Sequence, residues 1–195
     1  MRGLDGAPAE MFLRMERALR WHLERPCALF GHGVGALMGF LLARRLQADG
    51  LAIPRALFVA AHRAPQLPRG RAALHELPDD ALIRALGELA GTPAEVLGNR
   101  EMLELYLPAL RADLRFSEGY CHEAGPALRC PIFAFGGLED LEVSESELAA
   151  WSAQTSGEFK LMMLPGNHFF LHGKTERLVT EIARSLERIG VPSEN

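Results

Sequence analysis

The sequence predicts an α/β fold, a mostly parallel sheet with helices on both faces. Three observations lead there. Short apolar runs alternate with stretches of helical period, the runs are too apolar for half-exposed strands, and a glycine turn stands where the first run passes into a helix. The chain has 195 residues, 48% of them hydrophobic and 24% charged, which fits one domain over 1–195. A chain of this length buries roughly 70% of its unfolded surface and needs no disulfide or metal staple.

Pro8 opens the first helical pattern, over 8–24, with Met11, Phe12, Met15, Leu19 and Leu23 recurring at three or four residues. Residues 27–30 are a short apolar strand, followed by a glycine turn and a helix over 36–46 that Gly50 stops. Further buried strands fall at 56–60, 131–135 and 159–164. Ser144 and Glu147 have capping-box spacing and start a helix through Trp151. The last helix spans 175–189 and ends at Gly190 and Pro192. Between the second and third strands lies a long stretch with no strand pattern. Its helical segments fall at 79–89 and 100–116, the latter kinked or broken at Pro108. That is too long for a simple connection, and it reads as a helical lid inserted over about 64–125.

Several function classes are excluded early. The net charge is −4 and no Lys/Arg block occurs, which argues against nucleic acid and against a basic membrane-surface helix. Residues 26–43 are uncharged, with Gly31, Gly35 and Gly39 spaced like a helix-dimer face. Yet Gly31-His32-Gly33-Val34-Gly35 is a turn, so no membrane span is expected there. Cys27, Cys121 and Cys130 show no paired spacing and read as reduced thiols in a cytoplasmic protein. No signal segment opens the chain.

The strand–glycine turn–helix unit carries the chemistry. A nucleophile elbow, G-x-S-x-G, lifts a serine to the carboxyl edge of a sheet. Here Gly31 and Gly35 frame the turn, but Gly33 occupies the centre and has no oxygen to attack with. Asp140 follows the third strand and His168 the fourth. Elbow, acid, histidine is the α/β-hydrolase order, with the histidine as base and the acid holding its tautomer. Glu139 and Glu142 are reserve acids, and Ser144 is explained as a cap. A rival reading uses the same turn. Gly31-x-Gly33-x-x-Ala36 satisfies the dinucleotide fingerprint, but the next strand ends in Ala60-Ala61-His62-Arg63 without the carboxylate that a ribose needs.

The segments Ala28-Leu29-Phe30-Gly31-His32, Arg63-Ala64-Pro65, Leu77-Pro78-Asp79-Asp80 and Gly91-Thr92-Pro93 resemble the type II thioesterases of nonribosomal peptide and polyketide assembly lines. So do Leu107-Pro108-Ala109-Leu110-Arg111-Ala112-Asp113, Gly136-Gly137, Trp151 and His168-Phe169-Phe170-Leu171. The resemblance implies an α/β-hydrolase with a helical lid that removes acyl groups from the phosphopantetheine arm of acyl or peptidyl carrier proteins, with no cofactor. It implies Asp140 and His168 as acid and base, Gly33 at the nucleophile's place and the Val34 N–H as an oxyanion donor. The family's elbow is Gly-His-Ser-Met-Gly, against Gly-His-Gly-Val-Gly here. Family members also carry N-terminal strands and an oxyanion loop that this chain is expected to lack. Three readings follow: an inactive family member that binds acyl-carriers, a hydrolase that uses Asp140 and His168 to activate water, and an altered or shortened copy of an active enzyme. Without those strands, residues 27–30 form a bare edge, and the chain is expected to form a homodimer or aggregate through it, or to cover it with the helix over 8–24.

Overall fold

The structure is a computed structural model that describes residues 14–19, 22, 25–68, 70, 72–88, 99–172 and 175–190. Four strands, β1 (Leu29–His32), β2 (Leu57–Ala60), β3 (Ile132–Gly137) and β4 (Phe159–Leu164), form one sheet in the order β1-β2-β3-β4. Every pair is parallel, with Phe30 opposite Phe58 and Phe58 opposite Phe133. Parallel neighbours require crossovers, which α1 (Val34–Ala48), α2 (Asp79–Glu88), α3 (Arg100–Gly119) and α4 (Glu145–Ala149) supply, with α5 (Thr175–Arg188) closing the chain.

Alternation along the strands sorts the core into two layers. Leu57, Val59, Ile132 and Ala134 point to one face and pack with Leu37 and Phe40 of α1, Phe116 of α3 and Trp151. Phe58, Ala60, Phe133 and Phe135 point to the other and meet Leu178 of α5, with Ile182 and Leu186 at its margin. The Phe58 and Phe133 rings stack at 5.0 Å. Each such fully buried side chain contributes about 1.5–3 kcal/mol relative to exposure. Both faces are covered, as near-continuous apolar strands require.

The helices obey their end signals. At the end of α1, Gly50 takes a φ of 68° while Leu51 N–H donates to Leu46 O, closing the helix with a left-handed residue. Ser144 and Glu147 form the reciprocal capping box at α4. That helix is short, and residues Ala150–Gln154 continue as a 3₁₀ turn that seats Trp151. Among the described residues between β2 and β3 lie α2 and α3, with Leu82 and Leu86 of α2 packed on Leu103 and Leu107 of α3. The expected break at Pro108 does not occur, and α3 runs through to Gly119. A proline removes one hydrogen bond from the ladder, and the apolar stripe packed on α2 keeps the helix continuous.

Two strands run further than their apolar runs suggest. β1 starts at Leu29 and continues through Gly31 and His32, and β3 continues through Gly136 and Gly137. Of the expected first helix, residues 14–19 and 22 are helical, and the rest of 8–24 lies outside the described residues, as does 89–98. Among the described residues β1 pairs only with β2, and Phe30 on it is 45% exposed. No helix among them is long and apolar enough to cross a membrane, and no group of metal-ligating side chains occurs among them. Burial pushes the Cys130 thiol up to about 11, where it is inert at neutral pH.

Candidate active site

The site forms at the carboxyl edge of the sheet, where β1, β3 and β4 deliver their following residues. The first is the turn into α1. Gly31 must be glycine, because a Cβ there would lie 2.1 Å from the Gly35 carbonyl oxygen. Strand and helix therefore meet with no intervening loop. Gly33 caps α1 with φ 54° and ψ −126°, donates its N–H to Ala60 O at 2.9 Å, and accepts from Ala36 N–H at 3.0 Å. This is a left-handed backbone that side chains other than glycine adopt only under strain. Strain of that kind marks the central position of a nucleophile elbow, and the turn keeps it with no side chain there. Val34 is the first residue of α1, in the turn whose backbone N–H groups have no acceptor within the helix.

The loop after β3 carries Asp140. One carboxylate oxygen, Oδ1, accepts the N–H groups of Glu142 at 2.8 Å and Val143 at 3.2 Å, which fixes the side chain within its own turn. The other, Oδ2, lies 3.0 Å from His168 Nδ1, and the Asp140 side chain is fully buried. Burial opposes its charge, but the His168 hydrogen bond and charge and the two N–H groups outweigh that and hold the carboxyl below its usual value. The resulting stabilisation is present above the ordinary carboxylate range and is lost as pH falls through the lowered value.

His168 stands in the turn after β4, which Gly166 opens at φ 123° and Asn167 Oδ1 tightens by accepting Phe169 N–H at 2.9 Å. With Nδ1–H donated to Asp140, its Nε2 is left as the proton acceptor. The histidine loop is tied directly to the elbow. His32 Nε2–H donates to the His168 carbonyl at 2.8 Å, and the two rings meet edge-on at 5.2 Å. A cavity of about 230 Å³ opens beside the pair, walled by Glu139, Leu141, Glu142 and Asn167 and, from the helical segment, Leu74 and Ala85. Glu139 and Glu142 thus sit on the cavity wall, while the carboxylate bonded to His168 is that of Asp140.

A family model, the thioesterase domain, matches residues 9–189. The chain belongs to the thioesterase family. It is 39% identical over 180 residues to LgrE of Brevibacillus parabrevis, which carries the name linear gramicidin dehydrogenase, covering 91% of this chain and 68% of that protein. It is 39% identical to the gramicidin S biosynthesis protein GrsT of Aneurinibacillus migulanus, over 86% of this chain and 65% of that one. The fold matches the RedJ thioesterase of the prodiginine pathway in Streptomyces coelicolor with a TM-score of 0.83 and 38% identity, covering 90% of this chain and 70% of RedJ. The chain therefore spans about two thirds of the length of these relatives. Within the family it is of the type II kind, on the α/β-hydrolase fold.

Two residues of this thioesterase-family site have no role in the sequence reading. His32 lies inside the elbow motif, beside Gly33. Its hydrogen bond to the His168 backbone depends on two loops meeting in space. His62 follows β2 just after Ala61, a non-glycine residue forced to φ 48°. His62 Nδ1–H donates to Arg63 O at 2.7 Å, its Nε2 accepts from the Ser117 hydroxyl of α3 at 3.1 Å, and its carbonyl accepts from Trp151 Nε1 at 2.7 Å. It joins the sheet edge to the helical segment. Burial first, and then the nearby Arg63, His168 and His32 charges, outweigh the Arg63 carbonyl bond and lower its pKa to about 4.

The sign of that shift gives a prediction. Folded His62 stays neutral where an unfolded histidine, near 6.5, would take a proton. Stability is therefore whole above pH 6.5 and falls by about 3 kcal/mol as pH drops toward 4. Urea midpoints at pH 7 and 5 should show the loss, and His62→Gln should flatten it. An unchanged pH slope in that variant would remove His62 as its cause.

Proposed function

We propose that the chain takes acyl groups carried as thioesters on the phosphopantetheine arm of acyl or peptidyl carrier proteins in nonribosomal peptide or polyketide biosynthesis. The observation that carries this reading is the buried Asp140–His168 pair at 3.0 Å, tied through His32 to a strained elbow turn. In this reading Asp140 orients His168, whose Nε2 is the base, and the Val34 N–H is an oxyanion donor for the thioester carbonyl. Gly33 supplies no nucleophile, so the usual acyl-enzyme does not form on this chain. The names of GrsT and RedJ, proteins of gramicidin S and prodiginine biosynthesis, support the substrate class. The helical segment 64–125 acts as the lid, since Leu74 and Ala85 wall the cavity beside His168. Purely non-catalytic binding of acyl-carriers is the second reading, favoured by Gly33. A dinucleotide site has only the glycine spacing in its support, because β2 ends at Ala60 with no carboxylate.

Restoring the hydroxyl separates the two main readings. A Cβ on Gly33 meets no heavy atom within 4 Å, so Gly33→Ser fits, at a backbone cost of about 1 kcal/mol for the positive φ. The variant should label with a serine-directed phosphonate and hydrolyse an acyl-carrier thioester on the order of 10³-fold faster than the unaltered chain. Both gains should vanish on adding His168→Ala. An unlabelled, inactive but folded Gly33→Ser protein would leave only the binding role.

The β1 edge bears on assembly. We infer that two copies pair through β1, because that strand has one partner among the described residues and exposes Phe30. Sedimentation at micromolar concentration should show a dimer that Phe30→Lys dissociates. A monomer at all concentrations would dismiss it.

A further inference from the structure

We propose that Glu118 is a positioning residue for acyl recognition, which fixes one wall of the cavity at His168 and with it the length of acyl chain accepted. The inference rests on the thioester reading above and deepens it to the size of the acyl group. The cavity lies between two unlike walls. One belongs to the loops after β3 and β4, with Leu141, Asn167 and His168, and the other is made by Leu74 and Ala85. Leu74 opens the 3₁₀ turn Leu74–Glu76 that precedes α2, and it packs in the apolar cluster that α2 and α3 share.

Consecutive residues of α3 carry the position of that second wall. Phe116 is buried in the core layer that holds Trp151, and the Ser117 hydroxyl donates to His62 Nε2 beyond the end of β2. Glu118 then turns to the wall. Its Oε1 accepts the Leu74 N–H at 3.0 Å, while Oε2 accepts the His75 N–H at 3.1 Å and the His75 Nδ1–H. The Glu118 side chain is only 8% exposed, so the turn cannot shift without leaving a buried carboxylate short of donors. Arg111, on the same face of α3, holds the far end of the turn. It donates to the His75 and Leu77 carbonyls at 2.5 and 2.8 Å and to Asp79 Oδ1. One path of bonded groups thus runs from the sheet edge through His62, Ser117 and Glu118 to Leu74, and His168 stands at that same edge. The volume gives the acyl size. A cavity of about 150 Å³ holds benzene, and on that scale the roughly 230 Å³ here takes about nine carbon atoms. An octanoyl chain fits, and a hexadecanoyl chain does not.

The test measures binding to the unaltered protein by titration calorimetry. The probes are amides in which NH replaces the sulfur of acyl-pantetheine, with acetyl, octanoyl or hexadecanoyl as the acyl group. The octanoyl amide should bind tightest. Glu118→Gln keeps the size of the side chain but turns an N–H₂ group toward the donors of the wall. It should weaken the octanoyl amide about tenfold, as a lost methylene contact does, and leave the acetyl amide unchanged. An acetyl group fills too little of the cavity to depend on both walls. Thermal melts check that the variant is folded. Where Glu118→Gln does not fold, His75→Ala removes the imidazole donor alone, with the same expected change in the length profile. An unchanged profile in the folded variant, or an equal loss for all three amides, overturns the proposal and leaves the thioester reading standing. If no amide binds the folded, unaltered protein, the thioester reading itself has failed, and this inference with it.

Discussion

Gly31→Ala should prevent the chain from folding, although it adds a single methyl group. A Cβ at this position would lie 2.1 Å from the Gly35 oxygen, 2.2 Å from its carbonyl carbon and 2.5 Å from Ala36 N. All three are backbone atoms of the turn and of the first turn of α1, so no side chain can rotate away. Relief requires α1 to move off β1, and α1 buries Ala36, Leu37, Phe40, Leu42 and Ala43 almost completely. Withdrawing even part of that face forfeits several side chains at about 1.5–3 kcal/mol each, comparable with the whole stability of a domain. The expected result is an insoluble product, or a soluble one without a cooperative melt. Gly33→Ala at the neighbouring turn residue should cost only about 1 kcal/mol, because its Cβ is free of contacts and only the positive φ opposes it. A Gly31→Ala protein that melts within a few degrees of the parent would mean that strand and helix are not as close as described.

Substitutions at Asp140 should separate folding from chemistry. Asp140→Ala strands the His168 Nδ1–H and the N–H groups of Glu142 and Val143 at a place where the carboxylate is fully buried. Losing a buried, hydrogen-bonded charge in this way costs about 3–5 kcal/mol. Asp140→Asn is different. Its carbonyl oxygen can still accept from Glu142 and Val143, so most of the stability should remain. The amide then faces His168 Nδ1 as a donor, which forces the other tautomer and puts the imidazole proton on Nε2. A base with its proton on the working nitrogen cannot accept one, and in comparable triads this costs about 10⁴ in rate. Introduced beside Gly33→Ser, Asp140→Asn should therefore leave urea unfolding nearly unchanged and abolish the restored turnover. Retained turnover in that double variant would show that His168 does not depend on Asp140.

The fold was legible because the central strands β2 and β3 are buried on both faces. The run at 56–60 stands out as a short apolar block, as does the partly exposed one at 159–164, and the ordered match to a known family ran along most of the chain. The run at 131–135 was equally clear, but its extension through Gly136 and Gly137 was not. Glycines carry no apolar signal, and they are required here because a Cβ on Gly137 would strike the Asn167 and Gly166 carbonyls. The same limit hid the course of α3. Pro108 is a local break signal, and the packing of Leu103 and Leu107 against α2 overrides it from outside the local sequence.

By itself the sequence determined the parallel α/β arrangement, the thioesterase-family resemblance, the glycine at the elbow centre and the chain order of Asp140 and His168. These depend on residue type and spacing, which are local. Only the tertiary structure decided that the His168 bond goes to Asp140 and not to Glu139 or Glu142, since three carboxylates within four positions look alike until the loop turns. Tertiary structure likewise decided that His32 ties the elbow to the histidine loop, and that His62 holds α3 to the sheet while buried and neutral. Those partners lie 136 and 55 residues apart in the chain. A hydrogen bond depends on a few tenths of an ångström between groups, and only the packed sheet brings such distant groups to that distance.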